Sequence, residues 1–521
     1  MKTYKIILFF SLLVSTFSFA ANKPNSVYVL VKFNSTITYT QALPFLARSG
    51  LKFIEYIKAI NVYKAEKIND SAFQANASEL NNNTLYVEKD HPVHTFFVPN
   101  DPMYPDQKET QRIHPEGAWD ISTGAKEVII AISDTGYTFD HPDLSNQVWT
   151  NPHPSQSGEF TNDIHGWDFV GNDNDPTDEM GHGTHVAGII GASGNNSVGV
   201  TGINFSTSIM PVRFLDAQGS GSNSNGIKTI LYAADHGARL INASWGGDGF
   251  SQALLDAINY AYGKGTLLIA AAGNETNDND ASPSYPASYD SLGVIAVGSS
   301  ESEGKLSSFS NFGLFSVDVV APGTAILSTY PPNKYQRLSG TSMATPMVTG
   351  IAGLILSREP SLYGISLRNA ILNSIDERNV YKGKISTRGD INATTALTQL
   401  SGGFQVWPSR ITLKSGSQYQ FTAFQASGSV SWSVSPSSLG SIDANGVLTA
   451  KADGDLTVTA NDSGGHTAST VWLRVGVITN SGGGCKPANS SKMTAEQKTG
   501  SMLSFGLPVF IVFISRRKRV R

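Results

Sequence analysis

The chain has 521 residues, too many for one ordinary domain, so two or three folded units are expected. Its net charge is −4 and only 15% of residues are charged, which excludes a polybasic surface for nucleic acid. Its 50 glycines suit a loop-rich α/β enzyme, and the single cysteine, Cys485, leaves the folded parts without disulfides.

Lys2 and Lys5 precede an apolar run at 6–14, and Ser18-Phe19-Ala20 places small residues ahead of a cut. Residues 1–20 are therefore expected to be a signal peptide, and the chain to be secreted or held at the cell surface. The run is too short for a membrane span. Strands at 27–33, within 52–67 (two) and at 85–97, with helices at 39–49 and 70–80, predict a β-α-β-β-α-β order. That order implies a small ferredoxin-like α+β domain over 22–99. A turn-rich linker, Asn100-Asp101-Pro102-Met103-Tyr104-Pro105, follows.

From 101 to 400 apolar strands (128–134, 208–213, 239–243, 266–271, 293–297) alternate with helices (182–192, 223–236, 252–263, 342–357). The alternation predicts an α/β fold, a mainly parallel sheet with helices on both faces. Catalytic groups in such folds lie at strand C-termini and helix N-termini. Asp134 ends the first strand, and His182 and Ser342 open helices. A serine at a helix N-terminus is well placed for acyl transfer, because free N–H groups and the dipole favour an oxyanion. It still needs a base and a group to orient that base. His182 and His185 are three apart, but without an H-E-x-x-H pattern a zinc site is not expected, and His185 reads as structural. Residues 403–476 alternate in short stretches between turn clusters and predict an all-β sandwich. A Gly/Ser-rich linker at 477–501 carries Ser481-Gly482-Gly483-Gly484-Cys485, followed by a short apolar run and the basic end 516–521 within 502–521.

Ser133-Asp134-Thr135-Gly136, then Gly181-His182-Gly183-Thr184-His185-Val186-Ala187-Gly188, then Gly340-Thr341-Ser342-Met343-Ala344 stand in the order Asp, His, Ser. On these motifs the chain resembles the subtilisin-like serine proteases, the subtilases, from about 101 to 396. The resemblance implies that Ser342 is a nucleophile, His182 its base and Asp134 the orienting group. Asn274, after Ala271-Ala272-Gly273, would complete the oxyanion hole. Ser244-Trp245-Gly246 would bind substrate as an extended strand, with the primary pocket between it and Ala271-Ala272-Gly273 and its floor near Ser284. Calcium is the implied structural metal, through Asp143 and Asn196 with Gly194, Val198 and Val200, Gln107 being the candidate N-terminal ligand; catalysis needs no cofactor. The acidic stretch 173–179 is either a second ion site or a solvated turn.

Residues 22–99 stand where subtilases carry an inhibitory propeptide of the inhibitor-I9 type, an intramolecular partner of the site. The run 441–450 resembles bacterial Ig-like repeats and implies a spacer or binding module. The C-terminal pattern resembles Gram-negative sorting signals, cut by a sorting protease near Gly484-Cys485; a weak membrane tether is the alternative. The function expected is secreted endopeptidase action on protein or peptide substrates through an acyl-enzyme, with a preference for large apolar P1 residues. The alternatives are a surface adhesion protein that keeps the fold as a scaffold, and an esterase or amidase using the same triad.

Overall fold

The computed structural model describes residues 27–76, 80, 82–90 and 97–476. The expected signal peptide, the glycine-cysteine linker and the basic tail lie outside these residues.

Strands β1 (Val27–Phe33), β2 (Leu51–Ile57), β3 (Val62–Lys67) and β4 (Thr84–Lys89) form an antiparallel sheet in the order β2-β3-β1-β4. Helices Tyr39–Arg48 and Asp70–Ala75 interleave with them in the β-α-β-β-α-β sequence. The two-residue period of a strand puts Val29, Val31 and Phe33 in one small core with Ala42 and Leu46.

The main unit is a nine-stranded sheet. Its strands are β5 (Gly124–Asp134), β6 (Trp167–Asp168), β7 (Ser206–Arg213), β8 (Leu240–Ala243), β9 (Leu267–Ala271), β10 (Val294–Ser300), β11 (Val319–Pro322), β14 (Ile375–Glu377) and β15 (Gly389–Ile391). Their order is β14-β15-β11-β10-β9-β8-β5-β7-β6, parallel except at the β14–β15 edge. Every residue of β9 and β10 is buried, as expected of strands covered on both faces. A hairpin of β12 (Ile326–Tyr330) and β13 (Lys334–Leu338) stands apart from this sheet.

The chain leaves β5 towards β7, then returns to β8 on the other flank of β5. At such a reversal the loops part and leave a crevice beyond the strand ends. Asp134 is the last residue of β5, and Ser244 directly follows β8. Helix Thr341–Arg358 is buried from Met343 to Leu356 and runs behind the strands bordering this crevice, with Ser342 in its first turn.

Residues 405–475 form a separate all-β unit of short strands with a core that includes Ile411, Tyr419, Phe421, Leu448, Val458 and Leu473. It does not hang free as a spacer. Trp407, fully buried, packs into the main core and stacks on Phe424 at 3.9 Å. Asn369, buried in helix Gly364–Asn373, donates to Trp407 O (3.2 Å), Gln420 O (3.0 Å) and Thr422 Oγ1 (3.0 Å), and accepts from Tyr419 OH (2.6 Å). Ser386 and Thr412 exchange backbone and side-chain bonds across the same seam. Asn369→Ala should lower the thermal midpoint of the whole protein, since each buried polar group left unsatisfied costs about 1–3 kcal/mol. A calorimetric midpoint equal to wild type would show that the seam carries no stability.

Candidate active site

Strand β5 is buried through Ala131, Ile132 and Ser133, and it carries Asp134 into the interior with 0% exposure. A carboxylate there is costly unless it is paired. Helix His182–Gly191 supplies the partner. A Cβ on Gly183 would lie 2.3 Å from the Gly136 carbonyl oxygen, so only glycine lets the helix start close on the strand end. His182 Nδ1 then sits 2.7 Å from Asp134 Oδ1, which also accepts from Thr135 N at 2.7 Å. Asp134 Oδ2 is buried and finds no donor among the described residues. Burial alone would lower the His182 pKa, but the charge and hydrogen bond of Asp134, then the charge of Asp178, leave it raised.

His185, one turn further on, is fully buried and its Nε2 bridges Ile326 O (3.0 Å) and Gln336 O (2.9 Å). Burial pushes its pKa down to about 4, so it stays neutral and ties the helix to the β12–β13 hairpin. It is structural, as its sequence context suggests.

Ser342 is held from an unexpected direction. Pro346 lacks an N–H, so the Ser342 carbonyl has no intrahelical donor four residues on. It accepts instead from Ser244 Oγ at 2.8 Å, while Ser342 Oγ donates to Ser244 O at 3.0 Å. The pair locks the helix start to the continuation of β8. Asn274 Oδ1 accepts from Thr341 N (2.8 Å) and Thr341 Oγ1 (3.0 Å), which fixes the amide with its Nδ2 as the remaining donor face.

The loop carrying Asn274 depends on Asn311, which sequence reading missed and nothing in its local pattern marks. Asn311 is 1% exposed; its Oδ1 accepts from Glu275 N and Asn277 N, and its Nδ2 donates to Ala272 O. Gly273, at φ +111°, is the residue that makes room, because a Cβ there would fall 2.3 Å from Asn311 Nδ2. Opposite Ala271-Ala272-Gly273, the segment Ser244-Trp245-Gly246 leaves β8, and Gly247 bridges Tyr285. A Cβ on Gly246 would lie 3.2 Å from both Ser284 Oγ and Tyr285 O, so the glycine lets this segment lie close against Ser284 and Tyr285. The Trp245 ring backs the segment, edge-on to Phe214 at 5.0 Å.

The subtilase family model matches residues 125–399, more than half of the chain, and the model of the bacterial Ig-like domain (group 2) matches 403–471. A thermophilic serine proteinase of Bacillus sp. is 39% identical over 378 residues, covering 71% of this chain and 87% of that protein. Thermitase of Thermoactinomyces vulgaris is 43% identical over 302 residues, 58% of this chain and 99% of its own. A halolysin-like extracellular serine protease of Natrialba magadii is 40% identical over 287 residues, 54% of this chain and 50% of its own. The chain belongs to the subtilase family. This subtilase is a serine endopeptidase of the subtilisin type, with protein or peptide substrates.

Two further sequence expectations concern metals. Asp143 is 0% exposed; its carboxylate accepts from Asn196 Nδ2 (3.0 Å), Val200 N (3.0 Å) and Tyr335 OH (2.9 Å), and Asn196 Oδ1 accepts from Val198 N (2.8 Å). Gln107 spends both amide atoms on Thr201. The carboxylate that reaches this loop from the N-terminal side is Asp101, 2% exposed and bonded to Asn195 N (2.7 Å) and Asn196 N (3.1 Å). Burial raises the pKa of both Asp101 and Asp143. Two buried carboxylates brought to the 195–200 loop, each met there by N–H or O–H donors, supply the hard oxygen ligands that a cation such as Ca²⁺ takes. In the acidic stretch 173–179, Asp173 and Asp175 accept from backbone N–H groups two residues on, and Glu179 pairs with Arg213 at 2.6 Å. Among the described residues, no group of three or more His, Cys, Asp or Glu is arranged to hold a metal.

Proposed function

We propose that Ser342 is the nucleophile, His182 its general base and Asp134 the group that orients the imidazole, in a secreted endopeptidase working through an acyl-enzyme. The observation that carries this reading is the 2.7 Å bond from His182 to a fully buried Asp134, at the crevice where Ser342 begins its helix. Ser342 Oγ rotates away from Ser244 O, passes its proton to His182 Nε2 and attacks the scissile carbonyl. The raised His182 pKa suits the imidazolium that forms, whose Nδ1–H stays on Asp134. Ser342 N and Asn274 Nδ2 receive the oxyanion. His182 returns the proton to the leaving amine, and water then hydrolyses the ester by the same route.

Substrate lies as an added strand along Ser244-Trp245-Gly246, where backbone bonding selects peptides over small esters. A primary pocket between Ser244-Trp245-Gly246 and Ala271-Ala272-Gly273, with the small, uncharged Ser284 near its floor, would suit a large apolar P1 side chain. Residues 22–99 act as the propeptide, and near their end the Phe97 ring lies tilted against Phe205 at 5.8 Å. Export through residues 1–20 agrees with the extracellular relative, and the C-terminal tail is either cut near Gly484-Cys485 by a sorting protease or kept as a weak membrane tether. A fluorophosphonate probe should label the wild type but not Ser342→Ala, and that variant should lose peptide turnover and accumulate with its propeptide uncut. Labelling or turnover that survives in Ser342→Ala removes the serine from this role.

Asp101, Asp143 and Asn196 with backbone oxygens of Gly194, Val198 and Val200 would hold Ca²⁺, which would neutralise the two carboxylates and secure the start of the catalytic unit. Chelation should then lower the thermal midpoint by mass action. A midpoint insensitive to EDTA rules the ion out.

A further inference from the structure

Asp178 lies in the loop between β6 and helix His182–Gly191 and is 7% exposed. Its Oδ1 accepts from Thr135 Oγ1 (2.8 Å), Met180 N (3.0 Å) and Gly181 N (2.8 Å). Its Oδ2 accepts from Thr184 N (2.8 Å) and Thr184 Oγ1 (2.6 Å). Thr135 Oγ1, in turn, accepts from Gly183 N at 2.9 Å. One carboxylate thus joins the residue after Asp134, the turn before His182 and the first turn of the His182 helix. The loop itself is anchored by the buried Arg213 at the end of β7, which reaches Glu179 and the Thr177 carbonyl. A solvated turn would need none of this.

We propose that Asp178 is a positioning residue, which sets the register between Asp134 and His182 by welding the strand end to the helix start. The proposal rests on the reading of His182 as general base. It follows from how steeply catalysis depends on alignment, since a misplacement of about 1 Å costs on the order of 10²-fold in rate. Donors on both oxygens leave the carboxylate no freedom to drift. The same charge acts on the imidazole. The ionisable groups facing His182 are Asp134 at the end of β5, Asp178 in the loop and His185 on its own helix, the last held neutral by burial. Tyr330 of the hairpin is engaged with the Met180 carbonyl. Removing the Asp178 charge therefore withdraws support from the imidazolium and moves the acid limb of kcat/KM to lower pH.

The test uses the mature enzyme with Asp178→Asn, Thr135→Val and, as reference, His182→Ala, each matured by added wild-type enzyme that is then removed. Asp178→Asn should lower plateau kcat about tenfold or more with KM within about twofold, and shift the acid limb down. Thr135→Val, which keeps the charge but cuts the bridge to Gly183 N, should lower kcat with the acid limb unmoved, and it decides the case if Asp178→Asn does not fold. Wild-type kcat in these variants, a loss confined to KM, or an acid limb that stays in Asp178→Asn overturns the proposal. Full activity in His182→Ala would instead overturn the base assignment itself.

Discussion

The bond between Asp134 and His182 is the constraint on which the rest of this site depends. A carboxylate with no exposed surface cannot be left to water, and among the described residues it is offered one imidazole and one backbone N–H. The cost of burying it is offset only if the helix bearing His182 starts in the right place. That requirement explains several otherwise separate features: a glycine at 183 where the helix meets the strand, a neutral His185 clamped to the hairpin, and a loop fixed by Asp178 and Arg213. Each holds the helix start against the end of β5.

The serine side of the crevice follows a similar logic with neutral groups. A proline placed inside a helix normally weakens it by removing a hydrogen bond. Here the released Ser342 carbonyl is used to fasten the helix to Ser244, so the weakness becomes the joint between a buried helix and the C-terminal end of a central strand. Asn274 is fixed through Thr341, the residue beside Ser342, and Asn311 holds the loop from beneath. The two halves meet because β5 and β8 are neighbours at the reversal of strand order, which no local segment could arrange alone.

This also explains what could be read from the amino-acid order. The places of Asp134 at a strand end and of His182 and Ser342 at helix starts were legible because each sits in a short motif at an element boundary, and the buried strands because their apolar runs are continuous. The helix expected at 342–357 is Thr341–Arg358, a difference of one residue at each end. Residues whose roles come from distant partners were not legible. Asp101 reaches the Asn195–Asn196 turn across a long stretch of chain, whereas Gln107, nearer to the expected spacing, bonds Thr201. Asp178 stood among other acidic residues and suggested an ion or a solvated turn, although an aspartate just ahead of a helix is also a start signal. The Ig-like unit suggested a spacer or binding module, and its seating on the main unit was not legible because Asn369 and Trp407 look like ordinary helix and strand residues until their shared hydrogen bond is seen.

The most direct test of this account is a crystal structure of the mature enzyme after reaction with a peptidyl phosphonate. The account predicts phosphorus bonded to Ser342 Oγ, a phosphoryl oxygen about 3 Å from both Asn274 Nδ2 and Ser342 N, and His182 still paired with Asp134. An adduct on another residue, or a phosphoryl oxygen turned away from both donors, would contradict it.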